Sequence, residues 1–523
     1  MIHRGRTATA LALLLAAADA RADDRPCAAL LSVDLTDVGG TGSRVTRAAE
    51  GEDRGVAVCA AEGTLAPSIG FKVQLPLTTW TGRYLQVGCG GLCGTTSLRV
   101  GAADGCAPLA AGGFAIASTD MGHQGMGGEF GKDERKREDF AHRGVHVTAL
   151  AAKRLVRAFY GRDPERSYFS GCSDGGREAL VEAQRYPADF DGVVAGAPAL
   201  NFQVQNSLYH AWMARSNTGP DGKAVLLAPR LALLHDAVVK ACDELDGQRD
   251  GLIADPRPCR FDPAEVQCAP SAADTTGCLT AAEAEAARKL YDGPRDATTG
   301  RRLTIGGPQP GSELSWAGVF VPRNPGEPIF SERIALDALR SLIFETSPPP
   351  DFALKDVRFD LATFDRLRPR HPLFDATDPD LSAFAARGGK LVLWHGWSDP
   401  HISPLNTIAY HEAVEKAMGK ARTAAFERLY LLPGVYHCGG GDGPSQVDLL
   451  TPVVEWVEKG TAPEAVATRA PAGARPVFPY PAVARYGGRG DPNEAASYGR
   501  GAPLFTGTSP DWAGADFFRP WTH

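Results

Sequence analysis

The segment Gly171-Cys172-Ser173-Asp174-Gly175 restricts the fold of this chain more than any other. It lies between an apolar run, Tyr168-Phe169-Ser170, and a helix-forming one, GREALVEAQRY. A G-x-S-x-G held between strand and helix is a nucleophile elbow, whose small neighbours let the backbone turn tightly and leave the Ser173 hydroxyl exposed. The helix start directs backbone N–H groups toward a reacting carbonyl, where negative charge develops. The surroundings fit: RYLQVG, FAIAST, RSYFSG and GVVAGAP read as buried strands bounded by Gly or polar residues. Between them VHVTALAAKRLVRAFYG places Val147, Leu150, Leu155, Val156 and Phe159 at helical spacing. This order predicts a parallel sheet with helices on both faces. KLVLWHG, TIAYHEAVEKAMG, RLYLLPG and TPVVEWVEKG repeat it near the end of the chain.

The part between is different. Roughly Leu200 to Ala385 is rich in Pro, Asp and Gly, holds Cys242, Cys259, Cys268 and Cys278, and lacks the alternation. It reads as a lid over 201–385 inserted between two parts of one sheet domain, 23–200 and 386–523. An independent second domain is the alternative, and the strands that resume at Lys390 favour insertion. Residues 1–22 have a basic start, a short apolar run (TATALALLLAAA) and small residues for cleavage, the layout of a secretory signal peptide. The other reading is a buried N-terminal helix. An exported protein, periplasmic or extracellular, is expected, its mature chain starting near Arg21 or Asp23. With 43% hydrophobic and 22% charged residues the composition is that of a soluble globular protein. A net charge of -7 without a basic cluster gives no reason to expect nucleic acid or an anionic membrane as partner.

A serine nucleophile needs a base, and the base an orienting acid, in the order Ser, acid, His. LVLWHGWSD places Asp399 just beyond an apolar run, and RLYLLPGVYH places His437 beyond the next. The rival histidines are His395, which reads as a core residue, and His401, which reads as a substrate-loop residue. Asp442 is a rival acid but follows the histidine. Export makes disulfides the expected state of most of the eleven cysteines, and the odd count leaves at least one free or paired outside the chain. Cys172 adjoins Ser173 and Cys438 adjoins His437; if the triad forms, these two come within disulfide range. The oxyanion hole takes the N–H of Asp174 and one from GCGGLCG (88–94), with Gly91 the first choice and Gly90 the next. In the lid, Asp243, Asp246 and Asp250 crowd three carboxylates into eight residues. Spacing alone leaves open a solvated acidic loop or a calcium loop, and the pattern is not that of an EF-hand.

Together GCSDGG, HGWSD, YHC, GCGGLCG and CDELDGQRDGLIADPRPC resemble the tannase and feruloyl esterase family, which includes mono(2-hydroxyethyl) terephthalate hydrolases. The resemblance covers nearly the whole mature chain. It implies an α/β-hydrolase fold with a large inserted lid, the triad Ser173, Asp399 and His437, and a Cys172–Cys438 bridge. It also implies a structural calcium ion in the lid, held by the side chains of Asp243, Asp246 and Asp250 and the carbonyls of Gln248 and Leu252. With it go the pairs Cys242–Cys259, Cys268–Cys278 and Cys27–Cys59, while Cys93–Cys106 is the expected remaining pair, leaving Cys89 free. Phe478 stands where some relatives carry a cysteine, and the tail ASYGRG lacks the partner.

The expected activity is that of a secreted serine carboxylic-ester hydrolase acting on small aromatic acid esters through an acyl-enzyme, without an organic cofactor. Ferulate-type esters stand ahead of galloyl esters. A terephthalate monoester needs a cation for its distal carboxylate; Arg333 and Arg340 lie in SERIALDALRSLIF, but among aliphatic neighbours. Readings of other classes are an inactive calcium-stabilised binding protein and a serine peptidase on the same fold.

Overall fold

The computed structural model describes residues 26–471 and 473–521; the segment read as a signal peptide lies outside the described residues. One mixed sheet is built from β1 (Arg44–Asp53), β2 (Val56–Leu65), β3 (Ile69–Pro76), β4 (Arg83–Val87), β5 (Phe114–Thr119), β6 (Arg166–Cys172), β7 (Gly192–Gly196), β8 (Lys390–Gly396) and β9 (Glu427–Leu432). Their order is β1-β2-β3-β5-β4-β6-β7-β8-β9. The pairs from β5 through β9 are parallel, and β1, β2, β3 and β5 pair antiparallel. The apolar runs predict β4 to β9; β1 to β3 are additional. Every residue of β5 and β7 is buried, as a strand covered on both faces requires. RVTRAAEGED of β1 is exposed along most of its length, and its charges suit a sheet edge.

Helices α1 (Gly144–Tyr160) and α2 (Asp174–Arg185) cover the sheet early in the chain. After Gly196 the chain leaves the sheet, and it returns at Lys390, whose strand pairs directly with β7. The excursion carries α3 (Leu231–Cys242), α4 (Ala281–Asp292) and α5 (Phe330–Ser341). Much of it packs around Tyr209, Leu231, Leu290, Trp316 and Phe320, a core separate from those of the sheet. Back on the sheet, α6 (Leu405–Met418) and α7 (Leu450–Lys459) complete the layers. An α/β-hydrolase fold is the result.

Disulfides join Cys27–Cys59, Cys89–Cys93, Cys172–Cys438, Cys242–Cys259 and Cys268–Cys278. The expected Cys93–Cys106 pair is therefore corrected: Cys93 bonds Cys89, and Cys106 is free and buried. The cause is local. Gly91 adopts φ 68°, turning the 88–94 loop back so that the Cα atoms of Cys89 and Cys93 lie 5.8 Å apart. Cys106 instead packs with Leu85, Val87 and Phe114 in the core on one side of the sheet.

Arg177 ties these parts together from a fully buried position on α2. Its Nε and Nη2 donate to the Asp174 carboxylate at 2.6 and 3.0 Å. Nη1 donates to the carbonyls of Ala141 (2.7 Å) and Phe374 (3.3 Å), and Nη2 also to that of Phe140 (3.1 Å). Every guanidinium hydrogen thus has an acceptor. Burial alone would lower the Arg177 pKa, but the charge and hydrogen bonds of Asp174 outweigh it and hold the group above its usual value. Replacing Arg177 by Leu strands the Asp174 carboxylate and is expected to cost about 3–5 kcal/mol, read from the urea midpoint. The double change Asp174→Asn/Arg177→Leu is expected to recover part of that loss.

Candidate active site

Ser173 follows β6 and stands at the N-cap position of α2 with φ 66° and ψ -123°, a backbone region that a non-glycine residue occupies only under strain. Its surroundings hold it there. The Ser173 N–H donates to the Gly196 carbonyl at 2.9 Å, and its own carbonyl accepts from Gly176, Arg177 and Ala199 at 3.0, 3.1 and 3.0 Å. The turn closes only because side chains are missing. A Cβ at Gly171 would stand 2.3 Å from the Gly175 carbonyl oxygen, and one at Gly176 2.3 Å from that of Gly196.

Asp399 and His437 come from the loops after β8 and β9. A Cβ on Gly396 would lie 2.2 Å from the Val435 carbonyl oxygen, so these loops meet backbone to backbone. Asp399 is fully buried, and its Oδ2 accepts from Nδ1 of His437 at 2.6 Å. Its Oδ1 accepts from the N–H groups of His401 (2.7 Å) and Ile402 (3.1 Å). Burial pushes the Asp399 carboxyl up, but the His437 charge and hydrogen bonds from His395 and His437 outweigh it and hold it well below the carboxylate range. The Cys172–Cys438 bridge, with Cα atoms 5.9 Å apart, fastens the neighbour of Ser173 to the neighbour of His437. Ser173 and His437 face one cavity of about 400 Å³.

Its far wall combines His210, Phe330 and Ile334 of the excursion with His401 from the loop after β8. The His401 ring centroid lies 4.6 Å from that of His437, Phe330 lies 4.7 Å from His401, and His210 lies 5.4 Å from Phe330. Burial and the nearby His437 push His401 down to about 3. Burial, His401 and His437 hold His210 well below its usual value, so both rings are neutral at neutral pH. Met126 and Ile334 add apolar surface, and Arg99 brings a guanidinium to the wall. Arg333 and Arg340 are not among the lining residues: Arg333 sits over the Phe330 ring, and Arg340 donates to the Phe352 carbonyl.

On the glycine loop, the Gly88 N–H is taken by the Ser170 carbonyl (3.0 Å) and the Cys89 N–H by Glu178 (3.3 Å). Gly90 and Gly91 are left beside the N-terminus of α2. A Cβ on Gly90 would lie 3.9 Å from that of Ser173, the nearer approach of the two. Of the rival residues, His395 is buried against Asp399, His401 lines the cavity, and Asp442 accepts from the Tyr436 hydroxyl. Sequence reasoning missed Arg99, Met126, His210 and Phe330, which carry no motif; only the fold brings them to Ser173.

In the acidic loop Asp243 is buried and accepts from the N–H groups of Asp250 and Gly251. Asp250 pairs with Arg475. Burial, with the charges of Asp250 and Asp243 adding to it, pushes Asp246 up to about 6. Of the three carboxylates Asp250 has the guanidinium partner, and hard oxygen donors with surplus negative charge fit a calcium ion. The three are not drawn to within 4.8 Å of one another; among the described residues only His146, Glu182 and Asp189 offer three ligand atoms so close. In that second cluster His146 hydrogen-bonds Asp189 at 2.6 Å and Lys153 donates to the Asp189 carbonyl. Both oxygens of the buried Glu182 carboxyl lack a hydrogen-bond partner among the described residues, and burial pushes that group well above the carboxylate range.

The sequence profile of the family described as tannase and feruloyl esterase matches residues 53–500. A mono(2-hydroxyethyl) terephthalate hydrolase of Piscinibacter sakaiensis is 33% identical over 503 residues, covering 83% of this chain and 82% of its own. A probable feruloyl esterase B of Aspergillus clavatus is 35% identical over 417 residues, covering 75% of each chain. The crystal structure of feruloyl esterase B from Aspergillus oryzae superposes with a TM-score of 0.78 at 26% identity, covering 89% of this chain and 100% of that one. With the matched profile and these relatives alike, the chain belongs to the tannase and feruloyl esterase family of carboxylic ester hydrolases.

Proposed function

We propose that the protein is an exported serine esterase that cleaves aromatic acid esters through an acyl-enzyme. The observation that carries this reading is the 2.6 Å hydrogen bond between His437 and Asp399 at the cavity that also holds Ser173. His437 takes the Ser173 proton as the oxygen attacks the ester carbonyl, and Asp399 orients the imidazole and stabilises its protonated form. The N–H of Asp174 and that of Gly91 or Gly90 hold the oxyanion. The alcohol leaves with the proton from His437, and water repeats the attack on the acyl group.

Phe330, Ile334 and the neutral His401 offer a planar aromatic acyl group a largely apolar wall, which supports a phenolic acid ester. Ferulate-type esters stand ahead of galloyl ones, in line with the relatives named feruloyl esterase. Arg99 favours a second reading, a terephthalate monoester, because its guanidinium lines the cavity and no ion pair of it is seen among the described residues. Export is supported by the disulfides; among the described residues no helix is long and apolar enough to cross a membrane. The calcium ion would be held by Asp243, Asp246 and Asp250 with the carbonyls of Gln248 and Leu252, where it neutralises the carboxylates and stiffens the lid.

Ser173→Ala is expected to abolish hydrolysis of methyl ferulate, methyl gallate and mono(2-hydroxyethyl) terephthalate while the protein stays folded, and the wild-type preference among the three names the acyl group. No cleavage by the folded wild type would favour the binding-protein reading, and cleavage of peptide amides the peptidase one. Removing calcium with EDTA is expected to lower the Tm of the wild type and restoring calcium to raise it again; Asp246→Asn should weaken that response.

A further inference from the structure

Asp399 serves two histidines. Its Oδ2 accepts from Nδ1 of His437 at 2.6 Å and also stands 3.0 Å from Nε2 of His395. The other neighbour of that Nε2 is the Ile402 carbonyl, at 3.1 Å. Both neighbours are acceptors, so Nε2 carries the hydrogen. At the opposite edge of the ring Nδ1 lies 2.8 Å from the Thr407 hydroxyl, which then donates. His395 and Asp399 are both fully buried, so these bonds do not compete with water.

We propose that His395 is a positioning residue that sets the basicity of the Asp399–His437 pair, a role that rests on the triad reading above. Asp399 receives four donors: the two rings and, on Oδ1, the N–H groups of His401 and Ile402. The backbone donors fix where the carboxylate points. The His395 donor shares Oδ2 with His437 and draws part of its negative charge away from that bond. Without it more charge faces the imidazolium, the proton affinity of His437 rises, and the base form is reached only at higher pH. Thr407 locks the tautomer on which this depends.

Few other groups act on the pair. His401 and His210 face it as neutral rings, and Tyr209, whose hydroxyl donates to the Pro400 carbonyl, is held well above its usual pKa by burial and the Asp399 charge. Across the cavity Asp174 is matched by Arg177, and Arg99 lies on the lining. None of these donates to Oδ2. His395 is therefore the group, besides His437, whose removal takes a donor from Oδ2.

The test is the pH profile of kcat/KM for the wild type, His395→Gln, His395→Leu and Thr407→Val on the best ester found. His395→Leu is expected to lower kcat/KM about tenfold and to move the acid limb up by about half a pH unit to one unit. His395→Gln, which keeps an N–H donor, should restore the limb toward the wild-type position. Thr407→Val keeps the ring but frees its tautomer, and should move the limb in the same direction by less. It carries the test if His395→Leu does not fold. A limb that stays in place in folded variants, with only Tm and kcat reduced, would overturn the proposal. Ser173→Ala decides the triad separately: an active Ser173→Ala protein sinks that reading, whereas an unmoved limb in a serine-dependent enzyme sinks only the role of His395.

Discussion

The backbone of Ser173 is the constraint on which the site is built. A serine at φ 66° and ψ -123° stays there only while its surroundings outweigh the strain, and four backbone hydrogen bonds do so. They reach β7 through Gly196, the first turn of α2 through Gly176 and Arg177, and the start of the excursion through Ala199. One residue thus registers a strand, a helix and the exit toward the lid. The glycines at 171 and 176 follow from this, because any side chain there would collide with a carbonyl oxygen.

The candidate site is shared across the molecule. Ser173 belongs to the first part of the sheet, Asp399 and His437 to the second, and His210, Phe330 and Ile334 of the cavity wall to the segment between them. Arg177 reaches from the helix after the serine to Phe374, close to where that segment ends, so the first turn of α2 and the end of the excursion lean on one guanidinium. The neutral rings of His401 and His210 complete the wall without adding charge beside His437.

Much of this was legible in the sequence where the signal is local. The runs RYLQVG, FAIAST, RSYFSG and GVVAGAP become β4 to β7 because apolar residues bounded by glycine have one way to be buried. Asp399 and His437 stand out because each follows such a run, and the structure joins the two by a hydrogen bond. β1 to β3 were not read: β1 is exposed along most of its length and shows no apolar face. Cys89 and Cys93 pair because Gly91 reverses the loop, a backbone choice that cysteine spacing does not display. The partners of Arg177 and the cavity wall depend on contacts between residues far apart in the chain; Arg177 and Phe374 are 197 positions apart. The donor that His395 gives Asp399 depends on the turn between them, and the pattern HGWSD does not show which way that ring faces.

The Cys172–Cys438 bond spans 266 positions and closes a covalent ring that contains the whole excursion between β7 and β8. The long surface connections of such a segment are where proteases cut first. A chain severed once anywhere inside that ring does not come apart. Its two pieces remain joined next to Ser173 and His437, so a nick in that segment leaves a tethered pair of fragments held together until the disulfide is reduced. The bond thus turns a long stretch of the chain into one that can be broken without losing the molecule.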